Sequence, residues 1–140
     1  MKLFTYGSLM SQDIMDEVSG RRFPSFSATA DGFQRFCVRN EHYPGMVADY
    51  AGTVEGVVYD EVDHVAMERL DIFEGEMYTR QTIQVKQKND DELIEVMAYI
   101  VKPHYQHLLS EEIWSYREFL EKGKRLFTEQ YAGFRVIEER

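Results

Sequence analysis

Cysteine, proline and positive charge are scarce in this 140-residue chain, and it contains no long apolar run. Its single cysteine, Cys37, cannot form an internal disulfide, so nothing in the sequence demands an oxidising compartment. Cys37 lies in the apolar-aromatic stretch GFQRFCV, where a packed thiol is the plain reading. A catalytic thiol would need a histidine and an orienting group, which sequence alone does not place. The 16 Lys and Arg are outnumbered by 25 Asp and Glu, for a net charge of −9. That balance argues against nucleic acid as a partner, which requires a basic face, and against an anionic membrane surface. No segment has the length of a membrane span, and the start of the chain lacks the basic-then-apolar pattern of a signal peptide. The expected location is therefore the cytoplasm. The histidines His42, His64, His104 and His107 form no metal-ligand pattern, because Pro103 disfavours a regular helix face beside the last two. P-loop, dinucleotide and serine-elbow fingerprints are absent as well.

What is present is an aromatic-rich chain of single-domain length, with nine Phe, nine Tyr and Trp114. Residues 1–140 are expected to form one domain, which at this size buries roughly two-thirds of its unfolded surface. Residues 2–6 predict a first strand. Ser11 predicts the start of a helix over residues 11–20, ended by Gly20. FSATADGFQRFCV predicts two strands around the turn signal Asp31-Gly32. Tyr43-Pro44-Gly45 is a breaker, followed by a short apolar piece over residues 46–48. Residues 53–60 predict a strand in which Gly56 signals a bulge or a close backbone approach. Asp63 predicts the cap of a helix with Ala66, Met67, Leu70 and Phe73 on its buried face, ended by Gly75. Residues 78–86 and 93–101 predict an antiparallel hairpin joined by a polar link, with Pro103 ending the second strand. Ser110 predicts the cap of a last helix over residues 110–130, with Glu111 and Glu112 in its first turn. Its packed side is Ile113, Tyr116, Phe119, Leu120 and Phe127, and the tail from Ala132 is polar. Strands outnumber helices and do not alternate with them. The predicted class is α+β, a small mixed and mostly antiparallel barrel with flanking helices.

Two segments can carry chemistry. In YGSL, Gly7 tolerates unusual backbone angles and has no Cβ to hold a ligand away. A loop of this kind can aim successive N–H groups at one point and bind a small anion or carboxylate, with Ser8 adding a hydroxyl. An ordinary strand-to-loop turn is the plainer reading of these four residues. In LDIFEGEMYTR, Glu74 follows apolar residues where the helix should stop. An outward helix-end charge is the plain reading. A carboxylate at a helix C-terminus faces the unfavourable end of the dipole, however, and burial would raise its pKa further. Both effects suit a general acid or base working near neutral pH. Tyr43 and Tyr78 are candidate ligand-shaping residues that packing explains equally well.

Together the segments FTYGSL, YPGMV, GTVEGVVYDEV, LDIFEGEMYTR and WSYREFL resemble the gamma-glutamylcyclotransferase-like superfamily. The closer similarity is to its avirulence-induced-gene-like branch, which includes gamma-glutamylamine cyclotransferase. The resemblance implies a small mixed barrel with outer helices. It implies that Tyr6, Gly7, Ser8 and Leu9 bind the alpha-amino acid end of a gamma-glutamyl substrate. It also implies that Glu74 is the catalytic acid/base and that Tyr78 helps enclose the site. The implied reaction releases 5-oxoproline and needs no metal or organic cofactor. The leaving group is an amino acid, a dipeptide as in glutathione, or a lysine-derived amine. The chain lacks an evident second cationic motif that would choose among them; Arg39, Arg80 and Lys86 are candidate carboxylate partners, Arg80 alternatively a support for Tyr78.

Two other readings stand beside this enzyme. One is a non-catalytic module that binds a small carboxylate, although such a module has no use for Glu74 beside its ligand. The other is a structural or partner-binding domain that presents Trp114 and Phe119. The sequence leaves the oligomeric state open.

Overall fold

Period-two alternation of apolar side chains winds six strands into one curved sheet. The computed structural model describes residues 1–138. Its strands are β1 (Leu3–Thr5), β2 (Ser25–Val38), β3 (Pro44–Tyr59), β4 (Tyr78–Gln87), β5 (Leu93–Val101) and β6 (Leu109–Ile113). Its helices are α1 (Gln12–Ser19), α2 (His64–Glu74), α3 (Tyr116–Glu118), α4 (Lys124–Gln130) and α5 (Ala132–Glu138). A π-helical turn, Phe119–Gly123, joins α3 to α4. The strand order is β3-β1-β5-β4-β2-β6, and β2 also pairs with β3. That extra pairing closes five strands into a barrel and leaves β6 as an extension along β2. The β1–β5 pair is parallel and the other pairs are antiparallel. The expected α+β class and mixed, mostly antiparallel barrel with flanking helices is the observed architecture.

Alternation along β1 divides the core. Phe4 points into the barrel with Met46, Val54, Val58, Val85 and Ala98. Leu3 points out, toward Ile14, Met15, Val18, Leu70 and Phe73 of α1 and α2. Each such fully buried side chain is worth about 1.5–3 kcal/mol of transfer free energy. The predicted caps of α2 hold. The Asp63 carboxylate accepts from the Ala66 N–H at 2.8 Å, and Gly75, at φ +83°, donates its N–H to Asp71 at 3.1 Å. Ala66, Met67, Leu70 and Phe73 are all buried.

Two expectations from the sequence are corrected, and a third point that the sequence left open is resolved. Asp31-Gly32 is not a hairpin turn but a bulge inside the continuous strand β2, where the register with β3 shifts between Asp31 and Phe33. Gly32, at φ +85°, supplies the extra twist that a closing strand requires. The hairpin bend instead lies over residues 39–43, and the two apolar pieces that follow are one strand, β3. Second, Ser110 does not cap a helix. It lies in β6, drawn to the edge of β2 by pairings of Leu109 with Val38 and Ile113 with Phe36. The cap is Ser115, whose hydroxyl accepts from the Glu118 N–H at 3.3 Å. In consequence Ile113 and Leu120 are exposed, while Phe119 and Phe127 are buried. Third, the tail from Ala132 forms α5, with Gly133 and Ile137 buried and Gly133 close to the Phe73 carbonyl of α2. The last part of that expected tail, residues 139–140, lies outside the described residues.

Gly56 marks a close approach between strands. A Cβ built there would overlap the Thr5 carbonyl oxygen and come within 2.7 Å of the Phe4 ring. Neither can move without opening the β1–β3 ladder at Thr5 and Val57. Gly56→Ala is therefore expected to destabilise the fold by about 1–3 kcal/mol, the usual cost of overpacking. Chemical denaturation of the two proteins measures it, and equal midpoints would mean that the ladder yields freely.

Candidate functional site

The chain leaves β1 through Tyr6 and Gly7 into a single 3-10 turn, Ser8–Met10. Gly7 has φ −130°, so a left-handed backbone is not the reason for glycine here. The reason is Pro44, whose Cδ would lie 2.9 Å from a Cβ at Gly7. The carbonyls of Gly7, Ser8 and Leu9 are all engaged. Gly7 accepts from the Met10 N–H at 3.0 Å, Ser8 from the Ser11 N–H at 3.1 Å, and Leu9 from the Tyr59 hydroxyl at 2.7 Å. Among the described residues, no protein acceptor takes the N–H groups of Gly7, Ser8 and Leu9. Three backbone donors are thus left unpartnered in one turn.

Glu74 is the last residue of α2, and Gly75 turns the chain away directly after it. The hydroxyl of Tyr131, between α4 and α5, donates to the Phe73 carbonyl at 2.7 Å and to the Glu74 carbonyl at 3.1 Å. It thereby satisfies carbonyls that a helix end leaves orphaned and ties the backbone of Glu74 to the C-terminal helices. Phe73, Phe127 and Tyr131 pack edge-on or stacked with ring centroids 4.7–6.1 Å apart. Tyr43 closes the same aromatic wall, 5.1 Å from Tyr131.

Tyr6, Gly7, Ser8, Leu9, Tyr78 and Glu74 line one cavity at the end of the barrel. It is narrow, about 20 Å³, close to the room of a single water. Tyr43, Pro44, Tyr99, Phe127 and Tyr131 complete its walls. Glu74 keeps some exposure as a residue, but its carboxyl is enclosed by this cavity. Among the described residues, no group donates a hydrogen bond to that carboxyl. Burial, and secondarily the charge of Asp71, pushes its pKa up to about 8. At neutral pH it is mostly protonated and close to the point of release.

The surrounding hydroxyls direct their protons elsewhere. Tyr6 donates to the Tyr99 carbonyl and Tyr78 to the Pro44 carbonyl, each at 2.7 Å. Tyr99 donates to the Asp71 carboxylate at 2.7 Å. Burial holds the pKa of Tyr6 and Tyr78 well above the usual tyrosine value and raises that of Tyr43 to about 12. These phenols therefore stay neutral, and Tyr6, Tyr43 and Tyr78 border the cavity. None of the cations singled out in the sequence lines it. Arg80 pairs with Asp71 at 3.0 Å, Lys86 pairs with Asp31 at 3.2 Å, and Arg39 donates to the Leu109 carbonyl at 3.4 Å. Among the described residues no cluster of metal-binding side chains occurs. Cys37 and Trp114 lie outside the cavity, and burial raises the Cys37 thiol pKa.

Four contributors escape the sequence reading. Tyr99, Phe127 and Tyr131 reach the cavity from elements with no spacing relation to YGSL or Glu74. Asp71 had a signal, because it lies three residues before Glu74 and so on the same helical face.

A family model described as gamma-glutamyl cyclotransferase, AIG2-like, matches residues 3–118. AIG2-like protein A of Arabidopsis thaliana is 30% identical over 130 residues, covering 92% of this chain and 78% of that protein. The solution structure of another Arabidopsis thaliana protein superposes with a TM-score of 0.70 at 29% identity, covering 99% of this chain and 93% of that one. The crystal structure of a yeast gamma-glutamyl cyclotransferase specific to glutathione shares the fold, with a TM-score of 0.58 at 14% identity over 99% of this chain and 94% of that one. Among the described residues no helix is long and apolar enough to cross a membrane. With a barrel of this topology and a family match over most of its length, the chain belongs to the gamma-glutamyl cyclotransferase, AIG2-like family.

Proposed function

We propose that this protein is a gamma-glutamyl cyclotransferase acting on a small gamma-glutamyl compound, with Glu74 as its acid and base. The observation that carries this reading is the meeting of opposites in one cavity. An enclosed carboxyl with a pKa near 8 borders the same cavity as Gly7, Ser8 and Leu9, whose N–H groups have no protein acceptor among the described residues. The donors suit the alpha-carboxylate of the substrate. The carboxylate form of Glu74 and the lone pairs of Tyr6 and Tyr78 suit its alpha-amine. Tyr78 also bounds the space in which the chain must fold back. The free cavity is smaller than a gamma-glutamyl group, so substrate entry has to displace side chains of the wall.

In the reaction Glu74 removes a proton from the alpha-ammonium, which makes the nitrogen nucleophilic. The nitrogen attacks the gamma-carbonyl carbon to close a five-membered ring. The bond from that carbon to the leaving nitrogen breaks, and Glu74 returns the proton to the departing amine. The ring nitrogen sheds its second proton, which the departing amine takes up to leave as an ammonium, so the products are 5-oxoproline and a protonated amine and the proton balance closes without a cofactor. Holding the substrate folded converts much of the barrier into binding, because the attack is intramolecular. The absence of a cation from the cavity wall, among the described residues, leaves the leaving group to be found by assay.

Glu74→Gln keeps the size of the side chain and removes its basicity. Turnover, followed as 5-oxoproline release from a panel of gamma-glutamyl amino acids, peptides and amines, is expected to fall roughly 10²- to 10⁴-fold. Binding of 5-oxoproline should persist. Undiminished turnover would remove Glu74 from the chemistry, and binding without wild-type turnover on any substrate would make the protein a binding module.

The pH dependence follows from the same carboxyl. In the free enzyme kcat/KM should rise with pH as Glu74 ionises, with an acidic limb centred near pH 8. The limb should vanish from the residual activity of Glu74→Gln.

Stability should move the opposite way. The folded carboxyl keeps its proton up to about pH 8, whereas the unfolded one releases it near the ordinary value of 4.5. The folded state therefore binds more protons between these values, so stability is greatest below 4.5 and declines as pH rises through 8. Wild type should lose a few kcal/mol relative to Glu74→Gln between pH 5 and pH 9, on the order set by 1.4 kcal/mol per pKa unit. Urea denaturation at the two pH values measures the difference, and parallel behaviour would show that the carboxyl is solvated.

A further inference from the structure

The Tyr6–Gly7 peptide is gripped from outside the cavity by an arginine that lines no part of it. Arg35, on β2, donates from Nη1 to the Tyr6 carbonyl at 2.7 Å and to the Glu55 carbonyl at 2.8 Å. The same nitrogen lies 3.7 Å from the Met10 sulfur, and Nε donates to the Trp114 carbonyl at 3.3 Å. The guanidinium also packs over the Trp114 ring, 5.1 Å from its centre. It therefore stands where the β1–β3 ladder stops and replaces the ladder as partner of the Tyr6 carbonyl. A lysine could not do this, because one ammonium on a flexible stem cannot span three carbonyls on separate segments.

The grip has a consequence on the other side of the peptide. No peptide bond among the described residues is cis, so the Tyr6 C=O and the Gly7 N–H point in opposite directions from one rigid plane. With the carbonyl drawn toward Arg35, which lies outside the cavity, the N–H is turned away from Arg35, and Gly7 itself borders the cavity. A positive charge on the carbonyl also polarises the amide and strengthens its N–H as a donor. We propose that Arg35 is a positioning residue that aims and polarises the Gly7 N–H as a carboxylate donor. Its role in catalysis rests on the reading of the YGSL turn given above, but its hold on the peptide does not. The same contacts explain why β1 is only three residues long: its next carbonyl is spoken for.

The test is by nuclear magnetic resonance on the full chain, with 5-oxoproline as the probe because every gamma-glutamyl substrate yields it. In the wild type, saturation with 5-oxoproline should shift the Gly7 amide, and a scalar coupling across the hydrogen bond should link the Arg35 guanidinium to the Tyr6 carbonyl. In Arg35→Lys, checked for folding by the near-ultraviolet signal of Trp114, the Gly7 amide should move in the ligand-free protein. Affinity for 5-oxoproline should drop about tenfold to a hundredfold, the cost of a donor displaced by an ångström or less. A folded Arg35→Lys with an unmoved Gly7 amide and unchanged affinity would overturn the proposal and leave Arg35 a brace between β2 and Trp114. If Arg35→Lys does not fold, the wild-type measurements decide alone, and a missing coupling or a Gly7 amide blind to saturating ligand overturns it. Absence of any 5-oxoproline binding to the wild type would defeat the functional reading separately. The ligand-free shift of Gly7 would then still decide whether Arg35 holds the peptide.

Discussion

Three residues, Leu3–Thr5, bridge β3 to β5 in the barrel, and most of what is distinctive about the molecule depends on that bridge. β1 is paired on both sides, antiparallel to β3 and parallel to β5, with Leu3 opposite Tyr59 on one edge and Met97 on the other. A strand so short has no slack in register, because a slip of one residue would exchange Phe4 in the barrel with Leu3 under the helices. Gly56 lets the ladder draw tight at Thr5. The chain can then leave the barrel at one place only, and the Tyr6–Leu9 turn is the result. The backbone donors of the cavity are a by-product of how the barrel ends.

The opposite wall is built by a different economy. An enclosed carboxyl without a hydrogen-bond donor is a cost to the fold, and it is placed at a helix terminus where the dipole adds to that cost. The structure holds it there by fixing the backbone rather than the carboxyl. Gly75 stops the helix, Tyr131 clamps the last carbonyls, and Phe73, Phe127 and Tyr43 wall the cavity. The cost of an unfavourable ionisation is thus borne by an aromatic cluster to which the last third of the chain contributes Phe127 and Tyr131. The family match ends at residue 118, so Phe127 and Tyr131 lie beyond it.

Where the sequence reading failed, long-range pairing overrode a local signal. Asp31-Gly32 has the chemistry of a tight turn, yet the partner strand runs past it on both sides and converts it into a bulge. Asp31 is held at that bulge by the Thr53 hydroxyl at 3.0 Å and by Lys86 at 3.2 Å, from the strands on either side. Ser110 followed by two glutamates has the composition of a helix start, but the free edge of β2 captures the segment first. The polar tail hides only a few apolar residues, and Ile137 and Phe134 suffice to seat α5 against α2.

The sequence by itself determined the elements whose signals are local: the caps of α2 at Asp63 and Gly75, its buried face, the β4–β5 hairpin, the α+β class and the demand for glycine at position 56. Each follows from spacing or from the chemistry of one residue and its near neighbours. It also marked YGSL and Glu74 as the unusual segments and, through their resemblance to a known superfamily, as members of one site. Only the tertiary structure decided that they border one cavity, that Tyr99 and Tyr131 complete it, and that Arg35 grips the peptide from behind. It also decided how strongly Glu74 holds its proton. Those outcomes depend on groups that meet across the barrel from distant parts of the chain, and proton affinity is set by the surroundings of a carboxyl rather than by its position in a motif.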